Sequence, residues 1–378
     1  MSDNTVKATR EVARLIRPDV LAMAPYTPIL PFEVLSEQLG RPPEEIVKLD
    51  ANENPYGPSQ KALQALASLE SVAHIYPDPE ARHLREKLAD YTGVPVGHIL
   101  AGAGADELID LTARLFLDRG DAVANCPPTF GMYPFDAALA GARVVNVPRR
   151  ADFSLDVEGI ERAALGSDAK LLFLTTPNNP DGGLLEEAVL DRLLRLPLAV
   201  VVDEAYVEFS GAESFAGRVP AEPNLIVLRT FSKWAGLAGL RIGYGLFPLT
   251  LIEQLWKIKQ PYNVSAAADH AARAALDDLP HLQQDIARIR AERDRLYAAL
   301  SEFPQLSPYP SRANFVLCRV ARMDAGALKR RLAEDYGILV RHFNKPGLAD
   351  HVRISAGRPD QTDALLGALR AIFEEDTP

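Results

Sequence analysis

Between residues 99 and 246 short runs of valine and leucine alternate with helical segments, and most of these runs end at a polar turn. The spacing predicts strands over Ala122–Asn125, Val144–Val147, Leu171–Thr175, Leu198–Val202, Leu225–Leu228 and Ile242–Leu246. It predicts helices over 106–116, 134–140, 157–165 and 184–196 between them. Strands this apolar have no polar face to show to water, so both faces need cover. Alternation with helices then implies an α/β domain with a mainly parallel sheet. Ligands of such sheets sit at the carboxyl ends of the strands. Asp106, Phe130, Asn179, Asp203, Tyr206, Thr230 and Lys233 all fall there, whereas Arg241 opens its strand.

Flanking segments read differently. Residues 1–28 look like an N-terminal arm, with a short helix over Thr9–Arg17 and Pro18, Pro25 and Pro28 preventing a longer one. Beyond Pro261 come long Ala-, Leu- and Arg-rich helices over 264–277 and 282–300, then short strands and a terminal helix over 360–374. Residues 29–50 and 263–378 are expected to form a smaller α+β domain, and 51–262 the large one. The chain's 378 residues suffice for two cores. A formal net charge of −10 disfavours nucleic acid as a general partner. The two cysteines, Cys126 and Cys318, are too distant in the chain to suggest a metal knuckle or a disulfide framework, so no metal is expected. No secretory segment and no membrane span is read, which points to the cytoplasm.

Each polar residue has a chemical reading and a plain one. Lys233, between Phe231 and Trp234 in a glycine-flanked turn, is either a surface lysine or a desolvated, nucleophilic amine. Asp203, ending an apolar strand, is either a turn aspartate or a carboxylate awaiting a cationic partner. Asn179 is an Asn-Pro turn or an amide donor; Phe130 is core or a stacking face. Gly102-Ala-Gly104 feeding a helix presents free N–H groups to an anion, but Glu107 stands where a dinucleotide fingerprint has its third glycine. Thr230, Ser232 and Arg241 are placed to join that loop around a phosphate dianion.

Eight runs carry a resemblance: Asn52-Glu-Asn-Pro-Tyr-Gly57, Ala101-Gly-Ala-Gly-Ala-Asp-Glu107, Pro128-Thr-Phe-Gly-Met-Tyr133, Thr176-Pro-Asn-Asn-Pro-Asp-Gly182, Asp203-Glu-Ala-Tyr206, Thr230-Phe-Ser-Lys233, Gly239-Leu-Arg-Ile-Gly243 and Val352-Arg-Ile-Ser-Ala-Gly357. In this order the chain resembles the fold-type-I pyridoxal-phosphate aminotransferases, most closely the histidinol-phosphate aminotransferases. The resemblance implies a mainly parallel seven-stranded sheet sandwiched by helices, with a smaller domain. It implies pyridoxal 5'-phosphate held as a Schiff base on Lys233. Asp203 would pair with the pyridine nitrogen, Tyr206 and Asn179 would bond the ring oxygen, and Phe130 would stack on the ring. Ala105, Asp106, Thr230, Ser232 and Arg241 would surround the phosphate. Tyr56 would reach the phosphate in a partner subunit, making the active unit a homodimer with shared sites. Tyr26, Asn54, Arg341 and Arg353 would bind substrate. The implied reaction moves an amino group between L-glutamate/2-oxoglutarate and histidinol phosphate/imidazole acetol phosphate. Alternatives on the same fold are an aromatic or broad-range aminotransferase and a threonine-phosphate decarboxylase.

Overall fold

The computed structural model describes residues 12–25 and 28–375. The described residues hold strands β1 Val47–Leu49, β2 Ile99–Gly102, β3 Ala122–Asn125, β4 Arg143–Asn146, β5 Ala169–Thr175, β6 Ala199–Asp203, β7 Leu225–Thr230, β8 Gly243–Leu246, β9 Leu306–Pro308, β10 Phe315–Val320, β11 Ile338–His342 and β12 His351–Ser355. Seven of them form one sheet in the order β2-β8-β7-β6-β5-β3-β4. The pairs from β4 through β7 are parallel, and β8 runs against both of its neighbours.

The period of two divides the strand residues between two cores. Leu172, Leu174, Val200, Val202, Leu225 and Val227 face one core, with Leu84 and Leu88 of the helix Arg82–Thr92. Leu171, Phe173, Val201, Ile226 and Leu228 face the other, with Leu108 and Ile109 of Ala105–Phe116 and Ile252 and Leu255 of Leu249–Ile258. A buried side chain of this kind contributes about 1.5–3 kcal/mol relative to exposure, so strands without a polar face are stable only in this sandwich.

The smaller sheet has the order β1-β11-β12-β10-β9, antiparallel except for β1 against β11. Val316, Cys318, Val340, Val352 and Ile354 form its core with helices Ala325–Tyr336 and Pro359–Glu375. Leu49 on β1 packs into this core, so the segment before residue 51 joins it. Residues 263–378 divide between the cores. Ala268, Ala271, Ala272 and Ala275 of the helix Ala266–Leu276 enter the large-sheet core, because small side chains let that helix approach closely. The 22-residue helix Leu279–Leu300 spans both, with Leu282 and Ile289 in the first and Leu296 and Leu300 in the second. We propose that the domain boundary falls within it rather than at 263.

Local expectations shift at several places. Pro18 begins a short helix, Pro18–Ala22, since its missing N–H is harmless at the first position. Part of the expected Thr9–Arg17 helix lies outside the described residues. The helix expected over 184–196 shortens to Glu187–Leu193.

Candidate active site

The carboxyl ends of β5, β6 and β7 bring Thr175, Asp203 and Thr230 to one edge of the large sheet. Because β8 is reversed, its amino end lies at that same edge, with Gly243 opposite Thr230. The reversal delivers Arg241 to the site, although it precedes its strand. A cavity of about 500 Å³ opens there. Its walls include Ala105, Asp106, Phe130, Asn179, Asp203, Tyr206, Thr230, Ser232, Lys233 and Arg241, so ten of the expected residues share one space. Lys48, Ala51, Glu53 and residues 29–33 close the opposite side.

Asp203 is 4% exposed. One carboxylate oxygen, Oδ1, accepts from the Ala205 N–H at 2.9 Å, and Oδ2 accepts from the Tyr133 hydroxyl at 2.6 Å. Burial pushes its pKa up to about 6, and the Tyr133 bond opposes that rise. Tyr133 is wholly buried, stacked on Phe173 at 4.9 Å, and its Oη also meets Thr175 Oγ1 at 2.7 Å. Since the tyrosine proton goes to Asp203, the Thr175 hydroxyl donates in turn to Tyr133. The run Pro128–Tyr133 contains Tyr133 but points to no role for it. Its partner lies 70 positions away, and no local spacing announces such a contact.

Lys233 points into the cavity, its Nζ donating to the Ala51 carbonyl at 3.0 Å. Burial, aided by the nearby Arg353 charge, pulls its pKa down to about 8. The Tyr206 hydroxyl accepts from Asn179 Nδ2 at 3.4 Å and from Asn52 Nδ2 at 3.1 Å. Asn52 holds a left-handed backbone at φ 56° and bonds Ser355 through both its N–H and its Oδ1. It thereby ties the small-sheet strand β12 to Tyr206, a link between segments distant in sequence.

The glycine cup expected to take a phosphate lies where Gly102–Gly104 enters the helix Ala105–Phe116. Gly104 has φ 83°, and a Cβ there would stand 2.6 Å from Arg241 Nη2. Arg241 bonds Asp106 Oδ2 at 2.9 Å and reaches Ser232 Oγ at 3.4 Å. Thr230 Oγ1 donates to Ser232 Oγ at 2.9 Å.

The remaining expected residues stand elsewhere. Arg353 is buried one layer behind the cavity wall, donating to Asn179 Oδ1 at 2.6 Å and to the Asp50 carbonyl at 2.7 Å. Arg341 is its direct cross-strand neighbour, and both guanidinium groups approach Phe343. Asn54 does not line the cavity. Its Nδ2 holds the Trp234 carbonyl at 2.9 Å and its Oδ1 accepts from the Tyr56 N–H, so it helps position the lysine turn. Tyr56 is also outside the cavity wall, under the Arg288 guanidinium. Tyr26 lies outside the described residues.

The donor set fits pyridoxal phosphate. A depressed amine faces the same space as a buried carboxylate that has no ion-pair partner among the described residues, and these are the partners that the aldehyde and the pyridinium nitrogen require. Phe130 supplies a flat wall, packed edge-on against Tyr133 at 5.6 Å. The glycine cup is shaped so that a methyl group would displace the anchoring arginine, which matches a close-fitting dianion site.

Comparisons with known proteins agree with this geometry. The chain matches the family "Aminotransferase class I and II" over residues 44–369. Histidinol-phosphate aminotransferase of Roseiflexus castenholzii is 54% identical over 369 residues, spanning 96% of this chain and 99% of that protein. The chloroplastic histidinol-phosphate aminotransferase of Nicotiana plumbaginifolia is 54% identical over 359 residues, 95% of this chain and 86% of that one. The crystal structure of histidinol-phosphate aminotransferase from Sinorhizobium meliloti in complex with pyridoxal-5'-phosphate matches with a TM-score of 0.87 at 31% identity, covering 95% of this chain and 98% of that chain. An amine and a buried carboxylate in one cavity at the carboxyl edge of the sheet, a glycine cup beside them and full-length likeness converge: the chain belongs to the class I and II aminotransferases.

Proposed function

We propose that the chain is a transaminase that exchanges an amino group between L-glutamate/2-oxoglutarate and histidinol phosphate/imidazole acetol phosphate. The observation that carries this reading is the Lys233 amine, with its pKa near 8, sharing one cavity with the buried Asp203 carboxylate. Likeness to histidinol-phosphate aminotransferases over nearly the full chain supports the choice of substrate.

Bound pyridoxal phosphate supplies a ring that draws electrons from a substrate Cα–H bond. Lys233 Nζ would take the proton released from that carbon and give it to the cofactor's aldehyde-derived carbon on the far side of the substrate nitrogen, a transfer that needs an amine neutral near physiological pH. Asp203 keeps a proton on the ring nitrogen, and Tyr133 keeps Asp203 ionised for that task. Tyr206 and Asn179 orient the ring oxygen. Ala105, Asp106, Thr230, Ser232 and Arg241 hold the phosphate. Arg353 would bind the anionic end of each substrate by exchanging its bond to Asn179 on the cavity wall for one to the substrate, with Arg341 beside it. Tyr26 and Tyr56 act across a homodimer interface, Tyr56 on the partner's cofactor phosphate. Amino donor and acceptor then use one site in turn, giving ping-pong kinetics. Among the described residues no helix is long and apolar enough to cross a membrane. We place the enzyme in the cytoplasm.

Single-turnover spectroscopy of the holoenzyme tests the reading. Histidinol phosphate and glutamate should each bleach the cofactor absorbance and leave their oxo products. A response to phenylalanine without histidinol phosphate, or carbon dioxide release from threonine phosphate, would overturn the substrate assignment.

A further inference from the structure

Glu107 is the third residue of the helix Ala105–Phe116, beside the cup read as a phosphate site. A carboxylate there repels a dianion unless it is turned away. It is turned away: Oε2 accepts from the Ala103 N–H at 2.6 Å and from Asn263 Nδ2 at 2.7 Å. Gly102 makes room for this bend, since a Cβ there would lie 3.2 Å from the same oxygen and 2.9 Å from Leu108 Cγ. Asn263 is fixed in turn, its Oδ1 accepting from Lys259 Nζ at 2.7 Å and its Nδ2 reaching the Ala101 carbonyl at 3.3 Å. Lys259 is anchored on the carbonyls of Pro79 and Gln260. None of Glu107, Asn263 and Lys259 lines the cavity, whereas Ala105, Asp106 and Arg241 do.

The arrangement is a variant of the capping box, in which the third helical residue reaches back to the backbone before the helix. Gly104, at the cap itself, offers no side-chain oxygen. The first N–H groups of the helix therefore keep no capping partner and remain available to a ligand. We propose that Glu107, oriented by Asn263 and Lys259, is a positioning residue that holds the Ala101–Gly104 turn in the shape required by the cofactor's phosphate. This rests on the pyridoxal-phosphate reading above, and it assigns a role to a carboxylate that catalysis itself does not use.

Comparing two ligands that differ only in the phosphate isolates the effect. Folded apoprotein, checked by circular dichroism, is titrated with pyridoxal phosphate and with pyridoxal. Glu107→Ala should lose about tenfold or more in affinity for pyridoxal phosphate, as expected for stranding two half-buried donors, while pyridoxal affinity stays within about twofold. Glu107→Gln should remain within about threefold of wild type, because its amide oxygen can accept both bonds. Asn263→Ala should weaken pyridoxal phosphate alone, by less than Glu107→Ala. Equal losses for both ligands, or no loss for pyridoxal phosphate, would overturn the proposal. If Glu107→Ala does not fold, Asn263→Ala decides by the same criterion. A wild-type apoprotein that binds neither ligand overturns the cofactor reading itself, and this proposal with it.

Discussion

At Lys233 and Asp203 the loss of water moves two acidities toward each other. The amine falls from 10.5 to about 8 and the carboxyl rises from 3.8 to about 6, in both cases chiefly through burial. The consequences for stability have opposite signs. Asp203 holds its proton more tightly folded than unfolded, so its contribution is full below its ordinary 3.8 and is lost as pH rises through about 6. Lys233 holds its proton less tightly folded, so its contribution is full above 10.5 and is lost as pH falls through about 8. Between these two values both groups of the apoprotein are charged, and a cofactor that engages them stabilises it most there. Urea melts of apoprotein should show the stability of wild type minus that of Asp203→Asn falling between pH 4 and 7. A difference independent of pH would mean that Asp203 is not perturbed. Labelling of Lys233 by a small amine reagent, followed by peptide mass analysis, should show a midpoint near pH 8; a midpoint at 10.5 would remove the general-base assignment. Lys233→Ala should lower kcat by about a thousandfold or more while the fold persists.

Secondary structure was legible wherever a single force set it. Continuous apolar runs announced β5, β6 and β7, because burial on both faces leaves no other composition. The helix Leu249–Ile258 was not read: Thr250, Ile252 and Ile258 lower its intrinsic propensity, and burial of Ile252 and Leu255 against the sheet overrides that. The direction of β8 is likewise absent from local pattern, yet it decides that Arg241 faces the cup. The turn after Lys233 is a close backbone approach. At Gly236, φ is 68° and a Cβ would lie 2.3 Å from the Gly57 carbonyl oxygen, whereas at Gly239 nothing lies within 4 Å. Gly236→Ala should therefore cost more than about 2 kcal/mol in denaturant melts, and Gly239→Ala less than about 0.5 kcal/mol. Equal effects would deny the contact between the lysine turn and the Asn52–Gly57 segment.

For the whole molecule, the two sheets are bound together by the long helix Leu279–Leu300 and by polar contacts at the site. Asn52 to Tyr206 and Arg353 to Asn179 each join residues more than 150 positions apart. Tyr56 lies outside the cavity of its own chain, which fits its assignment to a partner's cofactor. Sedimentation of the holoenzyme should then report about twice the 41.3 kDa chain mass; a monomer with full activity would remove Tyr56 from the site. Residue order alone was enough for the α/β class and the strand ends, because periodicity and turn chemistry act over a few neighbours; it left Lys233 open between a surface lysine and a nucleophilic amine. Tyr133 on Asp203, Asn52 on Tyr206, Asn54 turned toward the Trp234 carbonyl and Arg353 set behind Asn179 belong to the folded chain. Those contacts join segments distant in sequence, and a hydrogen bond between them depends on how sheets and helices pack, which no local pattern encodes.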